Sequence, residues 1–115
     1  MRLLYDPEGD VLDVIFDERL HRVDKIAYEL RDGFILYVTV DSLKPIQLTV
    51  VNYQRLAQRP TVHFSRWKKL KVTERKKLLP ILNSSAVSAF LKLDPKTGYG
   101  HLASTAMPEM FSLAA

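Results

Sequence analysis

The residues best suited to chemistry form a short segment in which cationic side chains alternate with aromatic ones. Phe64-Ser65-Arg66-Trp67-Lys68-Lys69-Leu70-Lys71 opens it, and further cations follow. Lysine and arginine attract phosphates and release counterions, while an aromatic ring stacked on a base contributes about 1–3 kcal/mol. The segment predicts a surface for nucleic acid or another acidic partner. Its predicted contacts are Arg66, Trp67, Lys68, Lys69, Lys71, Arg75, Lys76 and Lys77.

The same segment has an alternative interpretation as a solvated helix face. Trp67 and Leu70 are three positions apart, the spacing of one apolar side of a helix. A lone tryptophan is also more often a core anchor than a stacking surface. No helix-turn-helix or RNA-recognition signature accompanies the segment. The sequence therefore leaves open whether these cations bind a partner or only face solvent.

An acidic run near the start of the chain has the residue types of a metal site but lacks the full set of ligands. Asp6, Glu8 and Asp10 alternate, yet a calcium loop needs six or more oxygen ligands, including a distal bidentate glutamate. Position 17, where that glutamate would stand, is an aspartate. We expect a turn instead, in which Asp6 accepts hydrogen bonds from nearby amides and Pro7 sets the bend.

The remaining polar residues match no catalytic pattern. His21, His63 and His101 are far apart, and none has a metal-type partner three or four positions away. The glycines lack the lysine and hydroxyl residue that complete a phosphate-binding loop. We therefore expect a protein that is not an enzyme and that uses no metal and no cofactor.

Composition and charge narrow the class of protein. The chain has 115 residues, 47% of them hydrophobic, and no cysteine, which excludes disulfides and thiolate chemistry. Apolar runs are too short for a membrane span, and no signal peptide is expected, so we predict a cytoplasmic protein. The net charge of +4 divides unevenly, because the acidic residues concentrate in the first half and the basic residues in the second. Such asymmetry favours an acidic partner or a second copy of the chain.

The candidate residues must be positioned by strands in the first half of the chain and by helices in the second half. Over 1–53, apolar and polar residues alternate in segments that end at turn signals, of which Asp32-Gly33 is the strongest. The pattern predicts an antiparallel β-meander of four or five strands. The predicted strands are 3–5, 11–17, 23–30, 34–40 and 46–52.

The second half predicts short helices that cover this sheet. We expect a helical turn over 53–58, a helix from Thr73 through Leu82, and a helix over 86–93 capped by 83–85. Pro80 should kink or shorten the longest of them. The fold class is therefore α+β, a single domain over 1–115 with a meander at 1–53 and a basic, mainly helical extension at 54–115.

A family resemblance covers the first half. Tyr5-Asp6-Pro7-Glu8-Gly9-Asp10, then Leu12, Val14 and Phe16, and later Asp32-Gly33 resemble the short bacterial proteins grouped as domain of unknown function 2283. The resemblance implies a small β-rich domain without established enzymatic activity, comparable in some members to the antitoxin of a toxin–antitoxin pair. The basic second half has no counterpart in the short members.

Two functional hypotheses follow. The leading one is an interaction protein, antitoxin-like, that binds a toxin or a complex subunit through the edge of the strand at 46–52. Its predicted contacts are Ile46, Leu48, Val50 and Tyr53. The alternative is a nucleic-acid-binding accessory subunit that uses Arg66 to Lys77. A homodimer is compatible with both hypotheses, and neither involves a membrane.

Overall fold

The computed structural model describes residues 1–20, 22–41 and 43–103, and its first half is an antiparallel sheet of five strands. This confirms the α+β class and the five-stranded antiparallel sheet. The strands are β1 (Arg2–Asp6), β2 (Val11–Ile15), β3 (Lys25–Arg31), β4 (Phe34–Thr39) and β5 (Pro45–Val51).

Alternation of apolar and polar residues explains why these segments are strands. In β5, Ile46, Leu48 and Val50 point into the core, while Gln47 and Thr49 point to the opposite face. The register continues the pattern across the sheet, because Leu48 pairs with a core-facing residue of each neighbouring strand. The sheet thus has one buried face and one open face, as an antiparallel sheet commonly does.

Two predicted turns shape the hairpins. Asp6 accepts a hydrogen bond from the Glu8 amide at 3.1 Å, as expected for the turn between β1 and β2. Gly33 joins β3 to β4 with a φ of 77°, a conformation that costs glycine little. A Cβ at Gly33 would also lie 2.8 Å from the Cβ of Val51, so this turn needs glycine for two reasons.

The strand order departs from a simple meander at one place. The order is β1-β2-β5-β4-β3, so β2 pairs with β5 rather than with β3. A short 3-10 helix, Glu18–Leu20, lies in the connection that carries the chain from β2 across to the far edge. The strand at 46–52, expected to offer an edge, is therefore the central strand of the sheet.

As far as residue 103, the second half combines three helices with a second sheet. Its elements are α1 (Tyr53–Ala57), β6 (Val62–His63), α2 (Val72–Leu82), α3 (Ser85–Ser88), β7 (Leu91–Leu93) and β8 (Tyr99–Leu102). The predicted helical turn at 53–58 is confirmed as α1, and α2 ends two residues after Pro80. The three strands form an antiparallel sheet in the order β6-β8-β7, which the sequence did not predict as a sheet.

The predicted helix over 86–93 is wrong in its second half. Ser84 caps a single helical turn, and residues 91–93 then form β7. Leu91 is buried and Lys92 is exposed, which is the two-residue period of a strand. Gly100 allows this pairing, because a Cβ there would lie 2.0 Å from the carbonyl oxygen of Lys92. Only a residue without a side chain permits so close an approach of β8 to β7.

One hydrophobic core joins both halves of the chain. The rings of Phe34 in β4 and Phe64 after β6 meet edge to face, with centroids 4.9 Å apart, and Phe16 meets Phe90 at 6.2 Å. The buried face of the first sheet and the inner residues of the second half form one continuous cluster.

No helix in the described part of the chain is long and apolar enough to cross a membrane.

Candidate nucleic-acid interface

Trp67 is part of the core and not of a binding surface. Its side chain is 0% exposed, and its indole Nε1 donates a hydrogen bond to the Pro95 carbonyl oxygen at 3.0 Å. Phe64, the second ring expected to stack on bases, is also 0% exposed. The prediction of these rings as ligand contacts is wrong, because both belong to the hydrophobic core. Trp67 instead fastens the turn at 65–70 to the turn between β7 and β8.

Arg66 is already neutralised by carboxylates. Its guanidinium forms ion pairs with Glu29 at the end of β3 and with Asp32 in the following turn. The Arg66 amide also donates a hydrogen bond to the Leu30 carbonyl oxygen at 2.9 Å. Arg66 therefore ties the basic turn to the first sheet, and it has little charge to offer a ligand.

The lysines of the predicted segment remain at the surface. They are exposed, and none has an ion pair with a carboxylate in the described part of the chain: Lys68, Lys69, Lys71, Lys76 and Lys77. Arg75, in α2, is half-buried. Residues 59–103 hold ten lysines and arginines against Glu74 and Asp94 alone, so this half of the molecule has a strong positive potential.

An exposed aromatic pair lies on the outer face of the second sheet. His63 in β6 is the direct cross-strand partner of Tyr99 in β8, and their rings stack with centroids 4.5 Å apart and an interplanar angle of 18°. Tyr99 is 48% exposed and His63 is also exposed. Each ring of such a pair keeps one face turned away from its neighbour. The pair can therefore accept a further planar group.

Two more polar side chains continue this outer face. Lys92 in β7 is the cross-strand partner of His101 in β8, and both are exposed. We call His63, Tyr99, His101 and Lys92 the ring platform. Alternation explains the arrangement, because the intervening residues, Val62 and Leu91 among them, point into the core.

Two lysines lie near the turn that precedes Tyr99. The Lys68 Cγ lies 3.9 Å from the position that a Cβ would occupy on Gly98, immediately before Tyr99. Lys96 lies in the same turn, where its amide donates to Asp94 at 2.9 Å. This hydrogen bond is the main reason that the pKa of Asp94 lies below its usual value.

A shallow depression adjoins the other end of the platform. It has a volume of about 450 Å³ and lies between the end of α2, the end of α3 and the paired strands β7 and β8. Lys92 and His101 line it together with the polar side chains of Asn83, Ser88 and Asp94. These groups can donate and accept hydrogen bonds beside the positively charged ammonium of Lys92.

The sequence did not predict the ring platform, because no local motif indicates it. His63 and Tyr99 are separated by two turns, two helices and a strand, and only the cross-strand register brings them together. The available signal was alternation, since His63 lies between the core residues Val62 and Phe64, and Tyr99 and His101 are two positions apart on one side of β8.

The four predicted protein contacts are in the core. Ile46, Leu48 and Val50 are 0–1% exposed, and Tyr53 is 4% exposed. Because β5 lies between β2 and β4, it has no free edge for a partner strand. The prediction of these residues as an interface is wrong, since the face of β5 that carries them is the buried one.

The acidic motif at the first turn has a structural role. The Tyr5 hydroxyl donates to Asp10 Oδ1 at 2.7 Å, and the Gln54 amide donates to the same oxygen at 3.0 Å. Asp10 thereby satisfies an amide at the start of α1, where Asn52 makes no side-chain cap. Burial and the Asp10 hydrogen bond raise the pKa of Tyr5 to about 12. Nowhere in the described residues do three metal-ligating side chains come together.

Comparison with protein-family models, curated proteins and solved structures returned no significant match. The resemblance of the first half to domain of unknown function 2283 therefore stays a prediction.

Proposed function

We propose that the protein binds single-stranded nucleic acid on the ring platform and the cations around it. The observation that carries the proposal is the stacked pair of His63 and Tyr99, exposed on a sheet surface in the most basic part of the molecule. A buried ring pair would need no ligand, but an exposed one presents aromatic faces that bases recognise. The function is binding without catalysis.

In this proposal three lysines contact phosphates while bases stack on the rings. Lys68 and Lys96 are near the Tyr99 end of the platform, and Lys92 is at the other end, beside the depression. Single strands suit this arrangement better than duplexes, because their bases can unstack from one another and stack on protein rings. Paired bases keep their faces inside the helix.

This proposal replaces the contacts of the original nucleic-acid hypothesis but retains its basic surface. Trp67 and Arg66 act within the protein, and Lys68 is the member of the segment nearest the rings. The antitoxin-like hypothesis stays a prediction without named contacts, since its four candidate residues are buried.

The test is a titration of a labelled single-stranded oligonucleotide, followed by fluorescence anisotropy over a series of salt concentrations. We expect tighter binding than to the duplex of the same sequence. Three phosphate contacts should give a logarithmic salt slope of about −2, a roughly 20-fold loss of affinity between 50 and 200 mM salt. Absence of binding at low salt, or equal binding of duplex and single strand, would contradict the proposal.

A matched pair of charge reversals separates a local site from general attraction. Lys68→Glu and Lys44→Glu change the net charge equally, but Lys44 lies in the loop before β5, in the acidic half of the chain. We expect Lys68→Glu to weaken binding strongly and Lys44→Glu to weaken it little. Equal losses, or equal competition by polyglutamate, would indicate a nonspecific polycation instead.

A further inference from the structure

A second depression lies at the end of the first sheet where β1 begins and β2 ends. It has a volume of about 310 Å³ and is lined by Arg2, Ile15, Glu18, Arg19 and Arg22. We call this depression the arginine pocket. None of its residues belongs to the ring platform or to the depression beside that platform. Its volume is at the lower end of the range for small-molecule sites, about 300–1,000 Å³, so it suits a small ligand.

Two separate segments of the chain bring the arginines together. Arg2 in β1 is the cross-strand partner of Ile15 in β2, and both lie on the face of the sheet opposite the core. The 3-10 helix that follows β2 and the turn after it bring Arg19 and Arg22 to the same pocket. The first 58 residues contain only seven lysines and arginines, and three of these line this one pocket. Because like charges repel one another, such a cluster favours an anion between them.

The acidic side chains at the arginine pocket do not neutralise it fully. Asp17 accepts hydrogen bonds from Arg19 Nε at 3.1 Å and Nη2 at 3.0 Å, which fixes the position of that guanidinium. Glu18 Oε1 lies 3.4 Å from Arg2 Nη1, and both side chains of this ion pair are more than half exposed. Such a pair contributes little free energy, so a ligand can displace it. Arg22 forms no ion pair with a carboxylate in the described part of the chain.

We propose that the arginine pocket binds a small phosphate monoester, held by Arg2 and Arg22. A guanidinium presents paired N–H donors that match the oxygens of a phosphate, and it always remains charged. A phosphate monoester carries about 1.5–2 negative charges at pH 7, more than a carboxylate, so it competes well with Glu18 for Arg2. Ile15 offers an apolar surface to the organic part of the ligand. This site is separate from the proposed nucleic-acid surface and does not depend on it.

Removal of the competing carboxylate tests the same site in the opposite direction. Glu18→Gln frees Arg2 from its ion pair, so it should strengthen the binding of phenyl phosphate by about two- to fivefold. Glu8→Gln is the matched control for the change of charge, because Glu8 is exposed in the turn between β1 and β2 and lines no part of the pocket. It should leave the affinity unchanged. An affinity that Glu18→Gln does not raise above that of Glu8→Gln would overturn the proposal.

Titration with phenyl phosphate, followed by the backbone amide signals in NMR spectra, tests for binding and locates it. We expect a dissociation constant of roughly 1 mM, with the largest shifts at the residues that line the pocket. Inorganic phosphate should bind more weakly, because it has no ring to contact Ile15. Arg22→Gln should weaken the binding of phenyl phosphate by about tenfold, since a charged hydrogen-bond donor is lost.

Arg55→Gln is the matched control for Arg22→Gln, because Arg55 is an exposed arginine of α1 that lines no part of the pocket. It should leave the affinity for phenyl phosphate unchanged. Absence of shifts at the pocket, equal affinities for phenyl phosphate and inorganic phosphate, or equal losses in the two folded variants would overturn the proposal.

Discussion

Replacement of Trp67 tests whether this residue belongs to the core or contacts a ligand. Trp67 is fully buried, and its indole nitrogen donates to the Pro95 carbonyl oxygen at 3.0 Å. Truncation of a buried tryptophan to alanine costs about 3–5 kcal/mol. Since a domain is stabilised by only about 5–15 kcal/mol, Trp67→Ala should lower the free energy of unfolding by a large fraction. Trp67→Phe keeps most of the ring and loses the hydrogen bond, so it should cost at least about 1 kcal/mol.

The assay is urea unfolding followed by far-ultraviolet circular dichroism. Tryptophan fluorescence is unsuitable because Trp67 is the single tryptophan of the chain. If Trp67→Ala does not fold, Trp67→Phe still provides a stability and a binding measurement. We expect this variant to be less stable and to bind the single-stranded oligonucleotide as the natural protein does. Unchanged stability together with lost binding would refute the buried role and restore Trp67 as a ligand contact.

Two further predictions concern the second sheet and the first turn. Gly100→Ala should lower the free energy of unfolding by at least about 2 kcal/mol, because the new Cβ would lie 2.0 Å from the backbone oxygen of Lys92. Gly9→Ala is its control and should cost less, since the nearest atom to its Cβ would belong to the movable side chain of Asp6, at 2.9 Å. The pKa of Tyr5 is raised from 10.0 to about 12, so its protonated form stabilises the fold below pH 10, and this contribution disappears as the pH rises towards 12. Tyr5→Phe should remove that part of the alkaline loss in urea midpoints, and an unaltered pH profile would contradict it.

Local pattern predicted the first half of the fold well. The strands at 11–15 and 34–39 follow strict alternation, and Asp32-Gly33 specifies a hairpin through glycine's tolerance of a positive φ. The pairing of β2 with β5 could not be predicted in this way. Short connections favour neighbours in sequence, whereas this pair is formed by burial of one continuous apolar face.

The structure of the second half was harder to predict, because it depends on contacts between residues far apart in the sequence. Leu91, Lys92 and Leu93 fit either a helix or a strand over so short a run, and the contact that decides is the close approach of Gly100. The orientation of Trp67 likewise depends on Pro95. Composition located the basic half correctly. The rings that face outward could be identified only from the register of β6 with β8.

The most direct test of the proposed function is the affinity of Tyr99→Ala for a single-stranded oligonucleotide, measured beside Tyr37→Ala. Tyr37 lies on the open face of the first sheet, away from the ring platform, so it controls for loss of a tyrosine. Loss of one stacking ring should cost about 1–3 kcal/mol, a decrease in affinity of roughly 5- to 150-fold. We predict this decrease for Tyr99→Ala and an unchanged affinity for Tyr37→Ala. Equal affinities of the two folded variants would contradict binding on the ring platform.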